Sequence, residues 1–240
     1  MTNFYRTATL AASLLICAPP TALRAQSADP SGHWEGSVEI PGRTLPFEID
    51  LAKDAKGALM GTLSGTDVRN LPLTRVAVTG RSVTLQASSD QPYNGELSAD
   101  GKTMSGTVIL SGYSLPLELT RTGDARIEPP PTSAPVTKAF EGTWEGTLNA
   151  GRGPLRLVLT ITNQPNGRAT AHVISLDEGG LLIPVVITQN ASGVSYVATV
   201  VPSSWAGRLS ADGTELAGTF TQGFASLPLI FRRGSTRGGK

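Results

Sequence analysis

The triplet Trp-Glu-Gly occurs twice in this 240-residue chain, in GHWEGSV at Gly32–Val38 and in GTWEGTL at Gly142–Leu148. A carboxylate beside an aromatic ring is one arrangement for acid–base work on a stacked substrate, with Glu35 and Glu145 as proton carriers. Such work needs a partner group, and no second acid recurs near either glutamate at a fixed spacing. His33 and His172 are the only histidines. No Gly-x-Ser-x-Gly elbow and no Ser-x-x-Lys offers a serine nucleophile. Cys17 is the only cysteine and lies in an apolar N-terminal stretch. With that stretch removed, the chain has no thiol nucleophile, no disulfide and no cysteine metal site. No histidine cluster has zinc spacing, so neither a metal nor another cofactor is expected. Asp100-Gly101 and Asp212-Gly213, each ending a Leu-Ser-Ala-Asp-Gly run, look at first like metal loops. Between two alternating runs they are hairpin signals instead, since Asp accepts bonds from nearby backbone and Gly supplies positive φ. Asn190-Ala191-Ser192 is a glycosylation sequon, a triplet that also arises by chance. These residues predict a protein that is not an enzyme.

The doubling extends well beyond the triplet. Trp144 follows Trp34 by 110 residues. The run YNGELSADGKTMSGT at Tyr93 returns as WAGRLSADGTELAGT at Trp205, and LPLELTR at Leu115 returns as LPLIFRR at Leu227, both after 112 residues. A longer loop at SLDEGGLLIP than at SGTDVRNLP accounts for the extra two. Residues 31–123 and 140–234 are therefore two copies of one unit, each the size of a small domain. Residues 124–139, containing DARIEPPPTSAPVTK, are Pro-rich and lack periodicity, which predicts an extended, semi-rigid spacer.

Within each copy the apolar period is two. Trp34, Gly36, Val38 and Ile40 alternate with Glu35, Ser37 and Glu39; Leu45, Phe47, Ile49 and Leu51 alternate with Pro46, Glu48 and Asp50. Trp144, Gly146 and Leu148 repeat the first pattern, and Leu155, Leu157, Leu159 and Ile161 the second. Strict alternation predicts strands with one buried face. Turn signals such as KDAKG, VTGR and SADG divide each copy into about eight short strands. Glycines recur two residues after a large side chain, as in Trp34-x-Gly36 and Trp205-x-Gly207. Large-then-small along an inner face suits a narrow, strongly curved sheet. The expected fold is all-β: two tandem antiparallel up-and-down β-barrels joined by the Pro-rich linker. Parity turns both tryptophans inward and both glutamates outward. It also puts His33 on a solvated outer face, while Trp205 is placed near a barrel mouth. The many inward Leu, Val and Ile predict interiors filled by side chains.

Residues 1–25 read as an export signal. Met1–Arg6 carries one positive charge and no acid, and TATLAASLLICAPPTAL then gives an apolar core too short for a comfortable membrane span. The expected cut follows Ala25. Ile16 stands before Cys17 where lipoprotein processing wants a small residue, which argues against a lipid anchor. The protein is expected to be periplasmic or secreted, with no transmembrane span after cleavage. The whole-chain charge of +1 gives no electrostatic case for nucleic acid.

A Gly-x-Trp on the first strand with an Arg closing the last strand resembles the lipocalin and avidin group of up-and-down barrels. The matching residues are Gly32-His33-Trp34 with Arg121, and Gly142-Thr143-Trp144 with Arg233. The resemblance implies that each Arg packs over its Trp at one end of a barrel. The pattern G-x-W-x-G, L-P-L, G-x-L-S-A-D-G, L-P-L-x-x-x-R also resembles the small β-domain ahead of the catalytic domain in some secreted bacterial serine hydrolases. That resemblance implies a fold and a location more than an activity, and this chain has two such units and no catalytic domain. The function expected is an exported, non-catalytic binding or accessory protein of the bacterial cell envelope, its partner either an envelope protein or a small apolar ligand. Two alternatives are a detached regulatory component of a serine hydrolase and an apolar-ligand binder of lipocalin type.

Overall fold

The computed structural model describes residues 28–234 apart from Arg152 and Ser192. The export segment, Cys17, the cut after Ala25 and the last residue of the sequon lie outside the described residues. Among the described residues the chain is all-β and antiparallel, with one short 3-10 helix at Leu176–Glu178. The first repeat contains β1 (Gly32–Ile40), β2 (Arg43–Lys53), β3 (Leu59–Gly65), β4 (Leu71–Pro72), β5 (Arg75–Thr79), β6 (Ser82–Gln86), β7 (Pro92–Leu97), β8 (Thr103–Leu110) and β9 (Tyr113–Gly123). The second contains β10 (Gly142–Asn149), β11 (Pro154–Asn163), β12 (Ala169–Ser175), β13 (Leu181–Asn190), β14 (Gly193–Ala198), β15 (Ser203–Leu209), β16 (Glu215–Gln222) and β17 (Ala225–Arg233).

The second repeat is a closed eight-stranded barrel, each strand paired with its sequence neighbour and β10 with β17. The first is a curled nine-stranded sheet, not the closed barrel expected. In the first repeat the strand corresponding to β13 is interrupted at Leu73 and Thr74. In the second repeat, β13 pairs with β12 through Leu181–Val185 and with β14 through Val185–Asn190, so one continuous strand closes the barrel. At the start of the corresponding stretch Asn70 adopts φ 52° and its N–H donates to Ser64 Oγ, so the strand begins only after it. Only Leu71 and Pro72 remain to pair with β3, while Arg75–Thr79 pairs with β6. Between them Leu73 N donates to Gly61 O and Thr74 N to Gln86 O, so the two edges of the sheet are consecutive in the chain.

Each repeat has its own core on the inward parity. Trp34, Leu51, Leu97, Met104 and Leu119 are fully buried in the first; Trp144, Leu159, Ile161, Trp205, Leu216 and Phe231 in the second. Trp205 is buried inside the barrel, not at a mouth: it stacks on Tyr196 at 6.0 Å and meets Phe231 edge-on at 5.3 Å. Its indole lies where Gly218 leaves room, since a Cβ there would stand 2.7 Å from the ring.

The Pro-rich segment is docked and not a free spacer. Ser133 exchanges both backbone bonds with Ala169, and its hydroxyl accepts from Ile187 N at 2.8 Å. Val136 exchanges bonds with the Asn163 side chain, and Val136 and Phe140 are buried in the second core. Earlier in the segment, Arg126 N donates to Asp50 Oδ1 of the first repeat. The repeats also touch directly: Arg69 N donates to Val200 O, Ser89 N to Gly179 O, and Leu71, Ala87 and Val200 form a small shared apolar cluster.

Close strand approach makes a direct prediction. A Cβ on Gly146 would stand 2.7 Å from the Ile230 carbonyl oxygen and 2.9 Å from Phe231 Cδ1. Gly146→Ala should lower the stability of the second barrel by about 1–3 kcal/mol in denaturant unfolding, the usual cost of overpacking. Glu145→Ala, one residue away and exposed, should change it by less than about 0.5 kcal/mol.

Candidate functional site

The two ends of the closed barrel are built differently. At the end where β10 begins and β17 finishes, the Arg233 guanidinium lies 4.3 Å over the Trp144 ring. Arg233 donates to the carbonyls of Ala139, Glu141 and Gly213, and Trp144 Nε1 donates to Phe140 O. The cation is therefore satisfied by backbone oxygens on one side and by the ring face on the other. The first repeat has the same arrangement: Arg121 lies 4.7 Å over Trp34 and donates to Asp29 O, and Trp34 Nε1 donates to Pro30 O. All four residues act in closing an end; none faces an open site.

The opposite end of the barrel is open. A cavity of about 310 Å³ lies there, lined chiefly by Leu157, Val173, Leu181, Ile183, Tyr196 and Leu227. That volume is at the lower limit of ligand pockets. The second barrel is filled around Trp144, Trp205 and Phe231, as the sequence predicts, and leaves this space only toward its open end. Val173 and Ser175 on β12 and Ala198 on β14 present short side chains to it. At corresponding places around the rim the first repeat carries larger apolar groups. Ile40 stands for Ala150, Phe47 for Leu157 and Leu110 for Gln222, and all three pack on the first core. Alternation alone does not separate a filled barrel from one with an open end, since LMGTLSG of the first repeat is as small on its inward parity as ATAHVIS of the second.

Three hydroxyls sit in this wall, on Ser175, Tyr196 and Ser203, with the Gln222 amide beside them; Ser203 Oγ already donates to Val201 O. Ser175 is fully buried and its Oγ has no hydrogen-bond partner. Tyr196 is buried against Trp205, and desolvation pushes its phenol well above the ordinary 10. Glu178 is the one carboxylate in the lining and is exposed at the rim. No lysine, arginine or histidine lines the cavity among the described residues.

The doubled glutamates do not form a pair. Glu35 lies on β1 and Glu145 on β10, in separate sheets, each facing outward. His33 corrects the sequence reading, because it is buried and not solvated. Its Nδ1 is 2.8 Å from Asp50 Oδ1 and its Nε2 3.3 Å from Glu35 Oε1. The linker hides it: the same Asp50 oxygen accepts the Arg126 N–H, an interaction that strand parity cannot foresee. His172 is half-buried on β12, which pushes its pKa down. Asp100 and Asp212 accept bonds within their own turns, from Ser98 Oγ and Lys102 N and from Ser210 Oγ and Thr214 N, and these hold both carboxyls below the usual range. Among the described residues no group of three His, Cys, Asp or Glu could hold a metal ion, and no helix is long and apolar enough to cross a membrane.

No family model matches the chain, and no curated protein matches it. Among solved structures, a DUF3598-family protein of unknown function from Nostoc punctiforme PCC 73102 is similar at 14% identity, over 85% of this chain and 96% of the other, with a TM-score of 0.28. A candidate outer membrane protein from Bacteroides fragilis NCTC 9343 is similar at 13% identity, over 85% and 95%, with a TM-score of 0.26. MucB in complex with MucA(peri) is similar at 10% identity, over 83% and 87%, with a TM-score of 0.21. At these TM-scores the likenesses carry no argument about fold or function.

The buried phenol sets an alkaline limit. A raised folded-state pKa contributes stability that is complete below about pH 10 and lost as the pH rises toward the folded value. Urea unfolding at pH 8 and at about pH 11 should show a clear loss at the higher pH, and Tyr196→Phe should reduce that loss. Tyr93, buried in the first repeat with its pKa also raised, accounts for a remainder.

Proposed function

We propose that the chain is an exported, non-catalytic binding protein of the bacterial cell envelope whose second barrel takes a small apolar ligand through its open end. The observation that carries this reading is the apolar cavity of about 310 Å³ in a barrel closed at the other end by Trp144 and Arg233. Two features of the sequence support the setting: an N-terminal segment with the layout of an export signal, and the confinement of its one cysteine to that segment. The absence from the sequence of a nucleophile motif or a recurring acid pair supports a binding role over a catalytic one. In this reading the first repeat is a scaffold. It pins two loops of the barrel's open end through Ser89 to Gly179 and Arg69 to Val200.

Titration with N-phenyl-1-naphthylamine, a neutral fluorophore, tests the reading. The chain lacking residues 1–25 should bind one probe with enhanced emission. Giving the second barrel the rim of the first, by Ala150→Ile, Leu157→Phe and Gln222→Leu together, should weaken binding by at least about tenfold, as a filled pocket loses the burial that drives it. Circular dichroism should show the β-fold retained. Undiminished binding by the folded triple variant would place the probe elsewhere and refute the reading.

A further inference from the structure

The polar groups of the cavity say more than that it is apolar. Ser175 turns inward on the same face of β12 as Val173 and is fully buried, with an Oγ that no protein group satisfies. A buried unpaired hydroxyl is costly, and native structures keep few of them without a reason. Tyr196 adds a second hydroxyl to the same wall, and burial keeps it protonated at neutral pH. Both groups donate and accept, so they suit a hydroxyl, ester or amide and need no charge on the ligand. The charges around the cavity point the same way. Among the described lining residues the only ionised group is Glu178, at the rim. Arg156, on the neighbouring strand β11, is held by Asp177 through its side chain and backbone, so its charge is compensated. A ligand carboxylate would thus lose its hydration without gaining a cation, a costly transfer into an apolar wall.

We propose that the second barrel selects an uncharged amphiphile, an apolar body carrying one hydroxyl or carbonyl group that bonds to Ser175 Oγ and is approached by the Tyr196 hydroxyl. The inference rests on the cavity being a binding site. It goes further by naming the ligand's charge, its polar group and the side chain that reads it.

The experiment compares three eight-carbon probes against the full chain lacking residues 1–25 at pH 7, by displacement of N-phenyl-1-naphthylamine. 1-Octanol should compete at least about tenfold better than octanoate, and better than octylammonium. Ser175→Ala should weaken 1-octanol about three- to tenfold, the net worth of one neutral hydrogen bond, and leave the fluorophore's own affinity unchanged. Tyr196→Phe, which keeps the ring and its stacking on Trp205, should weaken 1-octanol in the same direction. Each variant's melting temperature, read in parallel, separates lost binding from lost fold. Octanoate or octylammonium competing as well as 1-octanol would overturn the neutral selection. Ser175→Ala and Tyr196→Phe both leaving 1-octanol unchanged would overturn the assigned polar contact. Either result with the fluorophore still bound leaves the cavity reading standing, whereas no binding of any probe would end both.

Discussion

Each repeat turns on an arginine laid over a tryptophan. A small barrel has two open ends, and exposed apolar interior at both would leave it little core. Arg233 and Arg121 solve this by being cation and lid together. Each covers an indole; Arg233 also donates to three backbone carbonyls and Arg121 to one. The tryptophan then serves as the floor of its repeat, with its own N–H spent on a carbonyl four residues earlier. Strand closure follows, because Trp144 and Gly146 are also where β10 meets β17 in register with Arg233 and Phe231. With one end sealed in this way, whatever the protein holds inside must enter by the other.

What differs between the repeats is side-chain volume at that other end. The first repeat fills it with Ile40, Phe47 and Leu110 and is a continuous core. The second has Ala150, Leu157 and Gln222 there, which leaves space. The strand break at Leu73 and Thr74 belongs with this division. The first repeat does not close through strand pairing, and its edge residue Leu71 packs instead in the apolar cluster beside the second barrel. The two copies thus differ in strand closure and in how their cores are packed toward this end.

Much of this was legible in the sequence. Alternation placed Trp34 and Trp144 inward and the glutamates outward, because period two is a local property of the chain. The offsets of 110 and 112 revealed the repeat, since insertions shift register without altering strands. The misses came from long-range packing. His33 lies on an outward parity, yet it is buried because the linker returns over it and Asp50 bonds both His33 and Arg126. The Pro-rich segment has no period to read, and only the structure shows Ser133 bridging to Ala169 and Val136 entering the second core. The cavity was missed because apolar count does not report volume. Val173 and Ser175 satisfy the inward pattern as well as Phe or Leu would, and only the summed shape of eight strands shows the void.

Crystals of the chain lacking residues 1–25, pressurised with xenon, would test the central claim, a hollow second barrel beside a filled first repeat. Apolar cavities take up xenon, whereas a packed core does not. The account predicts a xenon site inside the second barrel, against Leu157, Val173 and Tyr196, and none among Phe47, Leu110 and Trp34 of the first repeat. Xenon within the first repeat, or an unoccupied second barrel at saturating pressure, would contradict it.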